Sequence, residues 1–303
     1  MLRKTLLFLS ERNDVQAALL RVSAARQVAR RFVAGDTLEE TLERVRELNQ
    51  RGFQVTLDYL GESVTEREEA ARAAEAYRES LDRIARSPAD STLSLKLTQL
   101  GLDVDERFCT ENLERIVARA AERDNFVRID MEDSRHTEAT LRIFRRVFEK
   151  YRNVGIVIQA YLHRSEEDVA ELIRLGAPVR LCKGAYDEPP SAAYQRKVEV
   201  DRSFVRLMAM LLDGGAPTAI ATHDEKMIEA TRRHATEMGI SKDAYEFQML
   251  YGVRRAYQNH LLAEGFRMRI YVPYGSEWYP YFMRRMAERP ANLWFVLRAM
   301  AGS

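Results

Sequence analysis

Eight short apolar or β-branched runs, each followed by an amphipathic helical stretch, constrain the fold of this chain more than any other feature. The runs begin at Phe53, Thr92, Phe126, Val154, Ala177, Ala216, Tyr245 and Phe266. Their spacing of roughly 20 to 40 residues is typical of alternating strands and helices that close into a (β/α)8 barrel. A doubly wound open sheet is the alternative, but it usually has fewer strands. We therefore predict an α/β protein of the (β/α)8 barrel type.

The first fifty residues have a different pattern. Residues 14–50 carry apolar residues at three- and four-residue spacing, which predicts helices, and Gly35 and Gly52 are plausible helix ends. We predict an N-terminal helical arm over residues 1–50 and a catalytic barrel over residues 51–303. The arm could pack on the barrel, form a homo-oligomer contact or touch a membrane, because amphipathic helices do all three.

Composition excludes several classes of protein. The net charge of +1 gives no signal for a nucleic-acid partner, and Cys109 and Cys182 form no CxxC pair or disulfide framework. No apolar stretch approaches the roughly 20 residues of a membrane span, and the apolar run near the start is too short for a signal peptide. We expect a cytoplasmic protein with no metal site, with peripheral contact at the inner face of the membrane left open.

Polar residues lie late in nearly every predicted strand. A lone strand-end residue is often a loop anchor, and His223 could simply cap the helix that follows it. Repetition around the barrel favours a shared polar cavity at the carboxyl ends of the strands, where barrel enzymes place their active sites. The residues are Asp58 with Glu62, Lys96, Asp130 with Glu132, Gln159, Arg180 with Lys183, Thr222 with His223, Gln248, and Tyr271.

Lys96 stands out because leucines flank it in the run "LSLKLTQL". A lysine in such a strand either points into the barrel mouth or must be neutralised. From this residue alone, a Schiff-base aldolase that uses Lys96 or Lys183 is a fair hypothesis.

The C-terminal stretch "YPYFMRRMAERPANL" predicts a helix with paired arginines. Tyr281, Arg284 or Arg285, and Glu288 are spaced three or four apart and share one face, while Pro280 fits the first turn and Pro290 ends the helix. Over a barrel mouth, this face would form a clamp for a carboxylate or phosphate. Alternatively, it is a surface helix whose arginines pair with acidic neighbours. No Walker loop, GxGxxG, GxSxG or HExxH motif is present.

Seven motifs in order resemble one known family. "LDYLGES", "SLKLTQLG", "RIDMED", "RLCKGAY", "ATHD", "EFQMLYG", and "RIYVPYG" followed by "YFMRRMAERPANL", are similar to the strand ends and eighth helix of proline dehydrogenases. The resemblance runs from about Asp58 to Asn292, and the short chain is similar to the monofunctional bacterial form. It implies an FAD-dependent barrel that oxidises L-proline to Δ1-pyrroline-5-carboxylate by hydride transfer to flavin N5, with a membrane quinone as electron acceptor.

The resemblance also implies roles for individual residues in binding proline. Lys96, Arg284 and Arg285 would hold the substrate carboxylate, and three cations around one anion is physically reasonable because the anion offsets their repulsion. Asp130 would lie near the amine. Tyr271, Tyr281 and Leu250 would wall the ring, and Glu62 would pair with Arg284 as a gate.

For the flavin, the resemblance implies that Arg180 lies near N5, where negative charge develops on reduction. The other implied flavin contacts are Met131, Gln159, Cys182, Gly184, Ala185, Tyr186, Lys197, Thr222, His223, Gln248, Arg285 and Glu288. The chain departs from some relatives at Asp187, where they carry tryptophan, and at Asp224, where they carry asparagine.

Overall fold

The strands of this protein close into a barrel. The computed structural model describes residues 30–61, 63–279 and 281–283. Within them, eight parallel strands pair in sequence order, and the last pairs with the first. The strands are β1 (Gln54–Tyr59), β2 (Thr92–Leu95), β3 (Val127–Ile129), β4 (Val154–Gln159), β5 (Val179–Cys182), β6 (Thr218–Ala221), β7 (Tyr245–Leu250) and β8 (Met268–Tyr274). The predicted (β/α)8 barrel is confirmed, and the open-sheet alternative is wrong.

Helices separate the strands along the described chain. They are α1 (Leu38–Gln50), α2 (Arg67–Ala85), α3 (Glu106–Glu122), α4 (Ser134–Lys150), α5 (Ser165–Leu175), α6 (Lys197–Asp213), α7 (Glu225–Glu237) and α8 (Arg255–Ala263), with short 3-10 turns at Thr98–Leu100 and Lys242–Ala244. Helices α2 to α8 follow strands β1 to β7 in order. In the described ranges, no helix is long and apolar enough to cross a membrane.

Helix α1 takes a place in the ring of helices. Thr37 begins it by accepting a hydrogen bond from the Glu40 backbone N–H. Glu39 forms an ion pair with Arg83 of α2, and Arg51, just after α1, donates to Asn259 of α8 at 2.7 Å. α1 therefore lies between α8 and α2, where a helix that follows β8 would otherwise pack.

The chain after β8 takes a different course. Residues 278–279 and 281–283 are helical, and Tyr281 lines a cavity at the barrel mouth. The rest of the predicted C-terminal helix, and residues 1–29 of the predicted arm, lie outside the described residues. The division of the chain at residues 50 and 51 stays a prediction.

Successive side chains along a strand point alternately outward, into an apolar layer, and inward, into a polar barrel interior. Leu93 and Leu95 are fully buried in the hydrophobic core between the sheet and the helices. Ser94, between them, accepts a hydrogen bond at 3.0 Å from Arg180 of β5. Because β2 and β5 are not neighbours in the sheet, this bond must cross the inside of the barrel.

The interior at the level of β7 and β8 is charged instead of filled by branched apolar side chains. Arg269 of β8 donates to both carboxylate oxygens of Glu246 on β7, at 2.8 and 3.1 Å. Arg128 of β3 donates to the Pro178 carbonyl at 2.6 Å, and burial lowers the pKa of Arg128 to about 9. Buried charges persist only when they are paired, and these pairs fill space that Val, Ile or Leu occupies in most barrels.

One strand is shorter than its apolar run predicts. β2 ends at Leu95, and Thr98–Leu100 turn into a 3-10 helix. Glu132, which follows β3, accepts hydrogen bonds from the Thr98 backbone N–H at 3.1 Å and from its hydroxyl at 2.5 Å. The placement of Lys96 within a strand is therefore wrong, because this tertiary contact bends the chain and leaves Lys96 just past the strand end.

Candidate active site

A cavity of about 750 Å3 lies at the carboxyl ends of the strands. This volume is in the range of small-molecule pockets, roughly 300 to 1,000 Å3. Its walls come from the ends of β1 to β8 and from the loops that follow them, and Tyr281 adds to them from beyond β8. The predicted shared polar cavity is therefore present where barrel enzymes carry out their chemistry.

Most of the predicted site residues that the structure describes line this cavity. They are Lys96, Asp130, Met131, Gln159, Arg180, Cys182, Gly184, Ala185, Tyr186, Thr222, His223, Gln248, Leu250, Tyr271 and Tyr281. Lys197 does not line it but bonds to Asp224, which does. Glu62, Arg284, Arg285 and Glu288 lie outside the described residues, so the predicted clamp and gate stay predictions.

Asp130 is the centre of a hydrogen-bond network at the cavity wall. Its Oδ1 accepts from Arg180 Nη1 at 2.7 Å and from the Ser94 hydroxyl at 3.3 Å. Its Oδ2 accepts from the Tyr271 hydroxyl at 2.6 Å, and Arg180 lies 5.3 Å from the centre of the Tyr271 ring. Burial and the negative charge of Asp130 hold the pKa of Tyr271 well above its usual value, so the phenol stays a donor. The Asp130 carboxylate is therefore held in place by hydrogen bonds that it accepts on both oxygens.

Lys96 is both neutralised and placed at the mouth. Its Nζ donates to the two carboxylate oxygens of Asp58 at 3.1 and 3.3 Å, and the Asp58 side chain is 1% exposed. Burial raises the pKa of Asp58, and the Lys96 charge opposes this rise. Asp58 thereby holds the ammonium group of Lys96 at the wall of the cavity that Lys96 lines.

The opposite rim carries two lysines and two aspartates. Lys183 donates to Asp201 and, at 2.7 Å, to Asp224. Lys197 donates to the same carboxylates at 2.5 and 3.2 Å. Burial raises the pKa of Asp224, but the hydrogen bond and charge of Lys183 outweigh it and bring this pKa to about 2. Asp224 also caps α7 by accepting from the Lys226 backbone N–H, so the suggestion that His223 caps this helix is wrong.

The Asp224→Asn variant is expected to lose stability in a pH-dependent way. Asparagine caps helices as well as aspartate does, so the change removes mainly the charge. Because the folded-state pKa is below the ordinary 3.8, ionised Asp224 stabilises the fold above about pH 4 and loses this contribution as the pH falls toward about 2. We expect a loss of about 2 kcal/mol in the free energy of unfolding at pH 7. Urea denaturation at several pH values measures it, and a loss that stays constant as the pH falls below 4 would contradict the ion-pair explanation.

Among the cavity side chains, two glutamines and one arginine carry buried polar atoms that have no hydrogen-bond partner among the described residues. They are Gln159 Oε1, Gln248 Oε1 and Arg180 Nε. A buried polar atom without a partner costs about 1 to 3 kcal/mol, so a ligand with matching donors and acceptors would recover this energy. The edge of a flavin ring carries both kinds of group. The described residues offer no group of three or more His, Cys, Asp or Glu that could hold a metal ion.

Other predicted cofactor contacts have defined local roles. His223 Nε2 accepts a hydrogen bond from the Leu250 backbone N–H at 3.0 Å, so this ring nitrogen carries no proton. Gly184 has a φ of +106°, and a side chain there would collide with the Tyr161 ring. Burial raises the pKa of the Cys182 thiol to about 12, which keeps it protonated and unreactive.

Sequence reasoning did not select three residues that support the site. Ser94 of β2 lies two residues before Lys96, Glu246 lies two residues before Gln248 on β7, and Asp201 lies four residues after Lys197 on α6. The strand period of two places Ser94 and Glu246 on the inward face with the residues that were selected, and this was a usable signal. No sequence signal connects Asp201 of α6 with Asp224, which precedes α7.

Comparison with known proteins gives a consistent result. The family model described as proline dehydrogenase matches residues 41–298. A relative named proline dehydrogenase 1 from Bacillus subtilis subsp. natto is 44% identical over 300 residues, which cover 99% of both chains. A protein named proline dehydrogenase from Deinococcus radiodurans is 39% identical and covers 98% of this chain and 97% of its own.

A solved structure has the same barrel within a longer protein. Proline utilization A from Bdellovibrio bacteriovorus, inactivated by N-propargylglycine, superposes with a TM-score of 0.82 at 27% identity. The match covers 87% of this chain and 33% of that one. The similarity of sequence and fold therefore extends over the barrel that carries the cavity.

Proposed function

Because this chain belongs to the proline dehydrogenase family, we propose that it uses FAD to oxidise L-proline to Δ1-pyrroline-5-carboxylate and passes the electrons to a quinone. Family membership supports proline oxidation as the reaction. The observation that carries the finer proposal is the cavity itself, which joins a paired lysine at one wall to buried polar atoms that lack partners in the described part of the chain at another. The first group suits a carboxylate and the second suits a heteroaromatic cofactor.

The reaction removes two electrons and two protons from the substrate. One C–H bond next to nitrogen breaks with its electron pair, and the amine loses a proton as the C=N bond forms. FAD supplies the hydride acceptor, at N5, when it is bound. The protein must then hold the proline ring in one orientation and keep water away, because orientation alone contributes several kcal/mol to such reactions.

We propose that Lys96 binds the substrate carboxylate together with Arg284 and Arg285. The structure supports the part played by Lys96, because Asp58 holds its ammonium group at the mouth. Asp58 is buried, and it limits the movement of Lys96 without removing its charge from the cavity. Asp58 is thus proposed as a positioning residue for the carboxylate clamp.

We propose that Asp130 lies near the substrate amine and orients it. Both of its oxygens already accept hydrogen bonds, from Arg180 and Tyr271, which makes Asp130 a poor candidate for a strong base. A paired carboxylate can still accept a hydrogen bond from the amine, because it has about four lone-pair sites. Tyr271, Tyr281 and Leu250, which line the cavity, would enclose the ring.

We propose that Arg180 and the cavity wall hold FAD. Arg180 is 5% exposed and lines the cavity, so its guanidinium group is proposed to lie near the flavin N5. The proposed remaining contacts are Met131, Gln159, Cys182, Gly184, Ala185, Tyr186, Lys197, Thr222, His223 and Gln248, with Arg285 and Glu288 from the helix that the sequence predicts at the C-terminal end.

Tyr271 is expected to determine ring selectivity. Its aromatic ring is held by the 2.6 Å bond from its hydroxyl to Asp130 and by the nearby Arg180, so a ring substituent of the substrate that meets the aromatic ring cannot push it aside cheaply. In Tyr271→Ser, the ratio of kcat/KM for L-proline to that for 4-hydroxyproline should fall by about 10-fold or more, because the smaller side chain leaves space for the extra hydroxyl. Steady-state kinetics with both substrates measure this ratio. Tyr271→Phe is the matched control that keeps the ring and should keep most of the selectivity; an unchanged ratio in Tyr271→Ser would remove Tyr271 from this role.

The activity is tested by product and by covalent trapping. Purified protein with L-proline and a soluble quinone should form the cyclic imine, which condenses with an aromatic amino-aldehyde to a coloured adduct, and should reduce the quinone in equal amount. A Schiff-base aldolase would instead be labelled at Lys96 or Lys183 by borohydride in the presence of its substrate. Lys96 labelling without quinone reduction would overturn the proposal.

A further inference from the structure

We propose that Glu246, which lies outside the cavity wall, is a positioning residue that fixes the amide of Gln248 so that its carbonyl oxygen meets the flavin. This inference rests on the proposed function. Both residues are on β7, two apart, so they share the inward face of the barrel. Gln248 lines the cavity, whereas Glu246 lies one layer deeper, beside Arg269.

The chemistry of the contact determines which way the amide faces. Gln248 Nε2 lies 2.5 Å from Glu246 Oε1. A carboxylate only accepts hydrogen bonds, so the amide group beside it must be the NH2, because a carbonyl oxygen there would be repelled. The charge of Glu246 therefore leaves one orientation for the Gln248 amide.

Glu246 is held in its ionised form. Arg269 bonds both of its oxygens at 2.8 and 3.1 Å, and Glu246 is 7% exposed. Burial raises the pKa of Glu246, but the charge of Arg269 and its hydrogen bonds outweigh burial and lower it. Arg128, which is also buried at this level, contributes to the lowering. Arg269 therefore holds the acceptor beneath Gln248 as a carboxylate.

The orientation leaves one acceptor for a ligand. Gln248 is 3% exposed, and its Oε1 has no partner within the described residues. Because Glu246 takes the NH2, Oε1 is the buried amide atom left without a partner among the described residues, beside the cavity that Gln248 lines. The oxidised flavin ring has a single ring N–H, in its pyrimidine part, and that N–H needs an acceptor once it is buried. We infer that Gln248 Oε1 accepts a hydrogen bond from this N–H, and that Glu246 maintains the amide orientation that this bond requires.

The Glu246→Gln variant tests the proposal because it inverts the polarity of the contact. Arg269 would donate to the side-chain carbonyl of the new glutamine, so the NH2 group of that glutamine would face Gln248. The Gln248 amide would then have to turn, and its NH2 group would face the flavin N–H. We expect the dissociation constant of FAD to rise about 10-fold or more, since two donors then face each other. Flavin fluorescence titration measures it. Glu171→Gln, which breaks a similar contact with Arg145 between α4 and α5, is the matched control and should leave FAD affinity unchanged.

A second measurement separates positioning from damage to the fold. In the enzyme loaded with nitrogen-15 FAD, the proton on the ring N–H should give a downfield NMR signal that exchanges slowly with water. Gln248→Leu, which keeps an apolar side chain of similar size, should shift or lose this signal even if Glu246→Gln fails to fold. An unchanged signal in Gln248→Leu, or unchanged FAD affinity in a folded Glu246→Gln, would overturn the inference. If the unaltered enzyme binds no FAD, the proposed function itself fails.

Discussion

Replacing Lys96 by methionine is expected to lower kcat/KM for L-proline by about 1,000-fold, which corresponds to about 4 kcal/mol. Methionine keeps the length of the side chain and removes the charge that would bind the substrate carboxylate. It also leaves Asp58 buried without its partner, and a buried carboxylate that loses its cation costs several kcal/mol and repels an anionic substrate. We expect KM to rise more than kcat falls, and steady-state kinetics with bound FAD measure both.

A double-variant cycle identifies the part that Asp58 plays. Asp58→Asn alone should weaken binding less than Lys96→Met, because asparagine can still accept one hydrogen bond from Lys96. The double variant Lys96→Met with Asp58→Asn should recover about 10-fold of the activity lost in Lys96→Met, since no unpaired carboxylate remains. A double variant no better than Lys96→Met would show that Asp58 does not act through Lys96. Retained kcat/KM in Lys96→Met would remove Lys96 from the clamp.

Arg285→Met is expected to raise the KM for L-proline by about 100-fold or more while FAD stays bound. The prediction rests on the spacing of Arg284 and Arg285 in the C-terminal stretch and on the structure that precedes it. Tyr281, one turn earlier, already lines the cavity, so a helix continuing from it would carry its next turn along the same mouth.

The chain offers a matched control for this variant. Arg107 lies on α3, its side chain is 86% exposed, and it pairs with Glu111 one turn away. Arg107→Met should leave the KM for proline unchanged, because exposed pairs of this kind contribute little. An Arg285→Met enzyme with the KM of the unaltered protein would assign Arg285 to the surface, as the alternative interpretation of the C-terminal helix requires.

The barrel could be predicted from sequence because its signal is repeated. Each run is apolar on its outward face, and the order of the runs determines the order of the strands in a parallel barrel. The strand ends could not be predicted as well. Lys96 and Thr98 continue the apolar run of β2, yet Glu132 from the next strand end turns this segment into a 3-10 helix. Such a contact joins residues far apart in sequence, and no local pattern records it.

The sequence predicts which residues line the candidate site better than it predicts which of them form hydrogen bonds with one another. Polar residues at strand ends identify which side chains reach the mouth, and the structure brings them together. Which of them bond to one another depends on barrel register and side-chain length. Asp130 is expected near a substrate amine, and the structure shows in addition that Arg180, Ser94 and Tyr271 hold it from three other strands.

The pairing within β7 shows the same limit. Gln248 was selected because it lies at a strand end, whereas Glu246, two residues earlier on the same strand, was not selected. Only the three-dimensional contacts show that Glu246 bonds both to Gln248 and to Arg269. A charge on the inward face of a strand, two residues before a predicted ligand contact, is the sequence feature that would have indicated it.

Flavin-dependent oxidation of proline is tested by the absorption spectrum of the purified protein, recorded under anaerobic conditions before and after L-proline is added. We expect a yellow protein with the blue-light band of oxidised flavin. Proline should bleach this band, with two electrons transferred to each bound flavin. A colourless protein that does not take up added FAD, or a yellow protein whose band stays unchanged with proline, would contradict it.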